Sequence, residues 1–389
     1  MLSWMDDDLI QRQQRGLYRE RRRIECSQGA RIRCRGRELL NFASNDYLNL
    51  AADPRLARAA TRASRRYGCG AGASPLVSGY LPPHRRLERD LARWEGTEAA
   101  LLYSSGFAAN LGTVSGLVGP EDAVFSDELN HASLIDGSRL SRAPVHVYRH
   151  GDADHLNDLL HRAGRAVRRR LIITDTVFSM DGDLAPLNDL YDLAERHDCL
   201  LLVDEAHATG VLGKSGRGVT DLFPPRIDPD RLIKVGTLSK ALGSQGGFIC
   251  GSVRLVDFLV NHARPYIFST ALAPPAAAAA RRAVSIAQQE PERRQRLQNL
   301  AELLRDQLRA IGYSESRSRC QIVPVIVGDA RAAVELSARL EAQGILAPAI
   351  RPPSVPKGMA RLRISLTAGH SEEDVLRLVS ALRECRSSI

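Results

Sequence analysis

Asp204-Glu205-Ala206-His207-Ala208-Thr209-Gly210 and Lys234-Val235-Gly236-Thr237-Leu238-Ser239-Lys240 are the two stretches that decide the fold. The first closes the apolar run Cys199-Leu200-Leu201-Leu202-Val203, and the second continues Leu232-Ile233. Each is a short apolar segment that ends in chemically useful side chains. A buried parallel strand has this character, because its C-terminal end opens on the crevice where α/β sheets bind ligands. The chain has four lysines, Lys214, Lys234, Lys240 and Lys357, and every other one of its 54 Lys and Arg residues is arginine. A Schiff base needs a primary amine that can lose its proton, which arginine lacks. Of the four lysines only Lys240 sits just past a strand-like run.

Working outward, further apolar strand candidates cover residues 100–103, 123–125, 145–148, 171–174 and 247–250. Helical segments such as 155–167 and 187–197 separate most of them. Short apolar strands alternating with helices indicate βαβ units and a mostly parallel sheet in an α/β fold. The pattern changes after Pro274-Pro275. A long helical region runs to Gly312 with Pro291 as a break. A strand over 322–327, a helix over 332–343, strands at 346–350 and 362–366 and a closing helix over 372–385 follow. At the other end, residues 6–23 read as a polar helix and 39–43 as a short strand. The expected organisation is an N-terminal arm over 1–45, a large cofactor-binding domain over 46–275 and a smaller C-terminal domain over 276–389.

Composition narrows the function. The net charge is +9 with a pI near 9.4. No aromatic residues interleave with a basic stripe, so no nucleic-acid partner is expected. The seven cysteines are scattered without a C-x-x-C pair, which argues against a disulfide framework and a structural zinc site. No H-E-x-x-H or clustered His/Cys set appears, so no metal is expected. Met1-Leu2-Ser3-Trp4-Met5-Asp6-Asp7-Asp8 lacks the basic and apolar regions of a signal peptide, and the apolar stretch 271–280 is too short to span a bilayer. The expectation is a cytoplasmic protein with no membrane partner. Gly68-Cys69-Gly70-Ala71-Gly72-Ala73 imitates a dinucleotide fingerprint, but the polar residues 62–67 are not the strand that motif requires. Gly213-Lys214-Ser215 imitates a P-loop end, with Ala208 where its first Gly belongs.

Several residues invite a cofactor reading beside a plainer one. Asp204 and Asp175 both end strands, where a carboxylate either faces a ligand or caps a turn. An aspartate beside a pyridine nitrogen keeps that nitrogen protonated, which makes the ring an electron sink. His207 is placed to donate to a phenolic oxygen, or to serve as a structural histidine. Tyr103-Ser104-Ser105-Gly106-Phe107-Ala108-Ala109-Asn110 follows a strand and opens a helix, so it offers either a phosphate cradle or a capped turn. His131, in Asn130-His131-Ala132-Ser133, can stack on a flat ring or cap a helix. Thr237 and Ser239 offer hydroxyls to a phosphate.

Taken together these segments resemble the α-oxoamine synthases, a branch of the fold-type I pyridoxal-phosphate enzymes. The similarity runs from Asn41-Phe42-Ala43-Ser44-Asn45-Asp46-Tyr47-Leu48 to Ser365-Leu366-Thr367-Ala368-Gly369-His370. It implies a mostly parallel central sheet with helices on both faces plus a smaller α+β C-terminal domain. It implies a transferase that binds pyridoxal 5'-phosphate and joins an amino acid to an acyl thioester with loss of carbon dioxide. By the resemblance Lys240 carries the cofactor as a Schiff base, Asp204 pairs with its ring nitrogen, and His131 stacks on the ring and assists catalysis. Ser179 and His207 hydrogen-bond the cofactor, and Gly106, Phe107 and Thr237 hold it around the phosphate. Ser269 and Thr270 resemble a segment that reaches the neighbouring subunit's phosphate, which implies a homodimer with shared sites. Arg21, Asn45, His131, Ser354 and Arg363 match substrate positions, with Arg363 facing the amino-acid carboxylate. Ile350-Arg351-Pro352-Pro353-Ser354-Val355-Pro356 and Ala360-Arg361-Leu362-Arg363 are most similar to the biotin-pathway branch. That branch joins L-alanine to a pimeloyl group carried on CoA or acyl carrier protein. Ala73, Pro75 and Ser354 depart from the commoner residues at their positions and leave acyl-chain details open. The alternatives are a glycine C-acetyltransferase-type synthase, an aminotransferase on the same fold and a non-catalytic binding protein.

Overall fold

The apolar runs form strands whose side chains are almost all buried. The computed structural model describes residues 2–15, 17–164, 167–224, 227–314 and 316–386. The strands among them are β1 (Arg31–Cys34), β2 (Arg37–Asn41), β3 (Ala99–Tyr103), β4 (Ala123–Asp127), β5 (Val145–Tyr148), β6 (Arg170–Asp175) and β7 (Leu200–Asp204). They continue with β8 (Leu232–Thr237), β9 (Gly247–Gly251), β10 (Ile322–Gly328), β11 (Ile345–Leu346), β12 (Ala349–Ile350) and β13 (Ala360–Ser365). Contacts divide the chain into two units. The larger holds Asp46–Ser179 and Asp183–Arg296, and the smaller holds Met1–Asn45, Met180–Gly182 and Leu297–Ile389.

The larger unit contains one seven-stranded sheet in the order β3-β9-β8-β7-β6-β4-β5. The pairs from β8 through β7, β6 and β4 to β5 are parallel, and β9 runs against both β3 and β8. Every residue of β4, β8 and β9 is buried. Side chains alternate between faces along a strand, so this burial requires both faces of the sheet to be covered. Leu101, Ile173, Leu202, Ile233 and Ile249 of the sheet pack with Val114, Leu134 and Leu259 from helices Gly106–Leu117, Ala132–Ser141 and Val253–His262. Burying each such side chain is worth roughly 1.5–3 kcal/mol. The expected fold class holds, and each sheet strand expected from the sequence is present. Residues 62–67, upstream of the misleading glycines, belong to helix Pro54–Tyr67.

In the smaller unit β1 and β2 form a hairpin, and β11 adds parallel to β2. Arg35 and Gly36 connect the hairpin with φ of 53° and 71°, the positive values its two-residue turn demands. A second sheet has the order β10-β13-β12, all antiparallel. The single strand expected over 346–350 is therefore two short strands in different sheets. Pro348 lies between them, lacks an N–H for a ladder, and accepts the Arg363 amide through its carbonyl at 3.0 Å. The N-terminal helix spans Ser3–Gln14 rather than 6–23 and buries no residue. Without a packed face nothing extends it past Gln14. Pro291 ends one helix, Pro274–Gln289, and opens the next, Pro291–Ala310.

Candidate active site

The ends of β6 and β7 set two carboxylates side by side, with Asp175 directly opposite Asp204 in the parallel register. Asp204 is 4% exposed. Its Oδ1 accepts the Ala206 amide at 2.8 Å and its Oδ2 accepts Asn110 Nδ2 at 2.6 Å. Asn110 Nδ2 also donates to Ser133 Oγ at 2.9 Å, and that hydroxyl lies 2.7 Å from His131 Nδ1. The His131 amide donates to Asp175 Oδ2 at 2.6 Å. Burial first and the charge of Asp204 second push Asp175 well above the usual carboxylate range, against the pull of the His131 amide. The Asp175 carboxyl thus holds its proton to higher pH than an ordinary carboxylate. Burial also pushes His131 down, with Asp204 opposing and Lys240 adding to the shift, so its imidazole is neutral near pH 7. His131 caps helix Ala132–Ser141 through Nδ1, 3.3 Å from the Ser133 amide, so the capping reading of this residue is realised.

Lys240 lies just beyond β8, and its Nζ is 2.9 Å from His207 Nε2. The other ring nitrogen of His207, Nδ1, is 2.6 Å from the Tyr47 hydroxyl. Both Tyr47 and His207 are buried. Two proton arrangements satisfy this chain. When Tyr47 O–H donates to Nδ1, Nε2 carries the hydrogen and donates to a neutral Lys240 amine. When Nδ1–H donates to Tyr47, Nε2 accepts from the lysine ammonium. The imidazole therefore ties the protonation of Lys240 to a buried phenol. Glu205 anchors the turn carrying His207 by accepting the amides of Val219 and Thr220 at 2.9 and 2.8 Å.

Helix Gly106–Leu117 begins where β3 ends, with Ser105 Oγ accepting the Ala108 amide at 3.0 Å. Its first amides, Gly106 and Phe107, have no intrahelical acceptor and suit an anion. A Cβ on Gly106 would stand 3.2 Å from Thr237 Cβ, and one on Gly247 would stand 2.4 Å from the Ser105 carbonyl oxygen. Glycine lets the helix start approach β8 and β9 this closely. Thr237 Oγ1 lies 2.7 Å from Ser239 Oγ and donates to the Gly246 carbonyl at 3.0 Å. Gly106, Thr237 and Ser239 thus form one polar corner. Phe107 meets His131 edge-on, with ring centroids 6.5 Å apart.

Ser179 lies within a loop closed by a bridge between Val177 and Leu184. His150 holds that loop between Asp127 at 3.0 Å and Asp183 at 2.8 Å. Burial opposes charge on this histidine, but the two carboxylates outweigh it and raise it to about 10. Ser269 and Thr270 follow helix Arg264–Ile267, Thr270 being exposed. Among the described residues no hydrogen bond joins either to Lys240, Asp204 or His131. Of the substrate candidates, His131 lies in the larger unit and the other four in the smaller; Arg363 donates to Asn45 Oδ1 at 3.2 Å and to Ser365 Oγ at 2.7 Å, whereas Arg21 and Ser354 are exposed. Reading the sequence alone assigned no role to Tyr47, Asn110 or Ser133 and left Asp175 ambiguous. The partners of Tyr47 and Asn110 are distant in the chain, and the register of β6 with β7 sets Asp175 beside Asp204.

A lysine amine tied to an imidazole, a buried carboxylate and an anion corner define a site for an aldehyde-bearing pyridine phosphate. The buried Asn110 Oδ1, which has no hydrogen-bond partner among the described residues, is a free acceptor beside it. The residues present fit pyridoxal phosphate. The chain belongs to the aminotransferase class I and II family, whose model matches residues 37–382. The particular relatives are more informative than that broad class. The 8-amino-7-oxononanoate synthase of Anaeromyxobacter dehalogenans is 46% identical over 383 residues, covering 98% of this chain and 95% of that protein. The 8-amino-7-oxononanoate synthase of Geobacter sulfurreducens is 48% identical over 377 residues, covering 96% of each. The solved serine palmitoyltransferase of S. paucimobilis, with bound PLP and myriocin, matches with a TM-score of 0.92 at 28% identity, covering 100% of this chain and 98% of that one. Among the described residues no helix is long and apolar enough to cross a membrane.

Proposed function

We propose that the chain is a pyridoxal-phosphate-dependent acyltransferase that condenses L-alanine with a pimeloyl thioester to 8-amino-7-oxononanoate, the reaction its relatives are named for, in biotin synthesis. The observation that carries the reading is Lys240 Nζ at 2.9 Å from His207 in the same unit as the Asp204–Asn110–Ser133–His131 chain. Nearly full-length identity of 46–48% to the two synthases supports the substrate assignment.

When bound, the cofactor supplies an electron sink for the pair released at the amino acid's α-carbon. Lys240 supplies the amine that holds the aldehyde and, once free, takes the α-proton. His207 and Tyr47 hold that amine and relay its proton state. Asp204 presents its carboxylate to the ring nitrogen, and Asn110 and the Ala206 amide fix its direction. Neutral His131 offers a flat apolar face and a ring nitrogen to the thioester carbonyl. The first amides of the Gly106 helix, with Thr237 and Ser239, take the phosphate. Across the reaction a C–C bond forms between alanine's α-carbon and the thioester carbonyl. The C–S bond breaks to release a thiolate that takes a proton from solvent, the carboxylate leaves as carbon dioxide, and Lys240 returns a proton to the α-carbon. Arg363 is assigned to the alanine carboxylate, with Arg21, Asn45 and Ser354 as further substrate residues and Ser179 as a cofactor contact.

The assembly proposed is a homodimer in which Ser269 and Thr270 serve the other subunit. Leu76 and Val77 are 50% and 80% exposed and Phe268 is 69% exposed. Their segments are joined by Ser74 Oγ donating to the Ile267 carbonyl at 2.8 Å and the Ala271 amide donating to that of Ala73 at 3.0 Å. Apolar side chains gathered on joined segments support an interface there.

The test is a panel of acetyl, pimeloyl and longer thioesters crossed with glycine, L-alanine and L-serine, read by thiol release. L-alanine with pimeloyl thioester is expected to be the best pair, and thiol release should require both. A pocket methyl discriminates by only about 1–3 kcal/mol, so some turnover of glycine is expected. Glycine with acetyl-CoA as the best pair overturns the reading in favour of the acetyltransferase. Amino transfer without thiol release overturns it in favour of an aminotransferase.

A further inference from the structure

Ser269 and Thr270 lie in a stretch without helix or strand, between helices Arg264–Ile267 and Pro274–Gln289. Such a stretch holds two hydroxyls in place only when its backbone is tied on both sides of them. On the near side Ser74 Oγ donates to the Ile267 carbonyl at 2.8 Å. On the far side the Ala271 amide donates to the Ala73 carbonyl at 3.0 Å, and the Leu272 carbonyl lies 2.6 Å from His84 Nε2. Ala73 and Ser74 are themselves in irregular backbone. Of these three ties, only the one from His84 leads to a long regular helix, Pro82–Glu95.

His84 is 2% exposed, and its proton has one place to go. Nδ1 accepts the Leu81 amide at 2.9 Å where the helix starts. A ring nitrogen that accepts carries no hydrogen, so the hydrogen of the neutral imidazole is on Nε2 and points at the Leu272 carbonyl. Burial holds His84 below the usual histidine range, so this neutral form persists near pH 7. The Tyr80 ring stacks on the imidazole, with centroids 6.2 Å and planes 19° apart. The Tyr80 hydroxyl donates to Glu88 Oε2 at 2.6 Å, and Glu88 Oε1 accepts the Leu102 amide of β3 at 3.3 Å. The helix start thus fixes the tautomer of His84, and a phenol tied to the central sheet fixes its plane.

We propose that His84 is a positioning residue for the neighbouring subunit's site: through Leu272 it holds Ser269 and Thr270 where they reach that subunit's cofactor phosphate. The inference rests on the homodimer reading above. Leu272 has a second neighbour in its own chain. A Cβ on Gly246 would stand 3.1 Å from Leu272 Cδ2, and the Gly246 carbonyl accepts Thr237 Oγ1 at 3.0 Å. Action on its own subunit through Thr237 is therefore the competing route, and the experiment separates the two.

The experiment uses purified hybrid dimers in which one chain carries Lys240→Ala, so that a single site reports. The readout is the concentration of pyridoxal phosphate that half-saturates borohydride-reducible attachment at Lys240. His84→Asn keeps an acceptor for the Leu81 amide but is too short to reach Leu272. In the first hybrid His84→Asn stands on the chain that retains Lys240, and in the second it stands on the Lys240→Ala chain. The first is expected to match a hybrid of wild-type and Lys240→Ala chains. The second should bind the cofactor about tenfold more weakly, the worth of one hydrogen bond to a charged group. Weakening in the first hybrid rather than the second, in both equally or in neither overturns the proposal. His84→Gln on the Lys240→Ala chain restores an N–H donor toward Leu272 and should recover most of the affinity; no recovery overturns the proposal. A third hybrid, wild type with a Lys240→Ala/Ser269→Ala/Thr270→Ala chain, tests the shared site by itself. Full affinity there refutes the shared-site reading and this proposal with it. Weak affinity there with full affinity in the second hybrid keeps the shared site and overturns the role of His84 alone.

Discussion

Asp175 and Asp204 occupy equivalent ends of neighbouring strands, yet they should respond oppositely to the same substitution. Both Asp204 oxygens accept hydrogen bonds, from the Ala206 amide and from Asn110. Asparagine there must turn its NH2 toward one of two donors, a conflict worth about 1–3 kcal/mol for a buried polar group. It also removes the charge proposed to face the ring nitrogen, which should slow α-proton removal by about 10²–10³-fold, as loss of a preorganised electrostatic partner does. Asp175 is different because burial and Asp204 raise its pKa. A raised carboxyl binds a proton in the folded state over a range where the unfolded chain has released it. Its stability contribution is therefore fully present below the unfolded value of 3.8 and is lost as pH rises through the folded value. Each unit of upward shift is worth about 1.4 kcal/mol. Asparagine mimics the protonated acid and still accepts the His131 amide through its carbonyl oxygen. Asp175→Asn should therefore leave the thermal midpoint unchanged near pH 4 and raise it at pH 8, with exchange rates within about threefold of wild type because its accepted hydrogen bond survives. The assay is solvent deuterium exchange at alanine's α-carbon without thioester, together with thermal midpoints from pH 4 to 8. If the exchange losses are equal, or if Asp175→Asn is the less stable protein at pH 8, the assignment of proton and charge within this pair is wrong.

Tyr47→Phe removes the 2.6 Å bond to His207 Nδ1, a loss of about 1–3 kcal/mol for a buried hydrogen bond; the pH profile of α-proton exchange should shift, and an unmoved profile excludes Tyr47 from tuning Lys240. Borohydride reduction of the holoenzyme followed by peptide mapping should label Lys240 and leave Lys234, which is buried against Glu95, untouched, while Lys240→Ala should lose several orders of magnitude of turnover. Label on Lys214, Lys234 or Lys357 refutes the assignment. Co-expressed Lys240→Ala and Ser269→Ala/Thr270→Ala chains should recover part of the activity that each lacks alone, because one hybrid site draws intact groups from both. Isolated heterodimers with no recovery would show that Ser269 and Thr270 act within their own subunit.

What the sequence carried plainly was whatever depends on local pattern. β4, β6, β7 and β8 are buried parallel strands, so each appears as an unbroken apolar run, and Asp175, Asp204 and Thr237 mark where those runs end. Lys240 stood out because so few residues of this chain can serve as an amine. Residues 346–350 were misread for a related reason. Two-residue strands are too short to show a period, and their assignment to different sheets follows from pairing with β2 and β13 rather than from their own composition. Residues 6–23 are rich in helix-favouring types, but propensity without a buried face sustained helix only over Ser3–Gln14.

The chemistry of the site was legible one residue at a time but not as a circuit. His207 and Lys240 were readable separately, whereas the phenol that completes their chain comes from Tyr47, 160 positions before His207. Asn110 likewise reaches Asp204 from 94 positions away. Neither link has a sequence period, because both depend on which strand ends the sheet order brings together. The same reasoning separates Asp175 from Asp204. Both look like strand-end carboxylates, and only the pairing of β6 with β7 sets the charge of Asp204 beside Asp175, where with burial it raises the Asp175 carboxyl. A residue type at a strand end thus indicates that a ligand is addressed there. Which proton the residue holds is set by neighbours that the fold, rather than the local sequence, supplies.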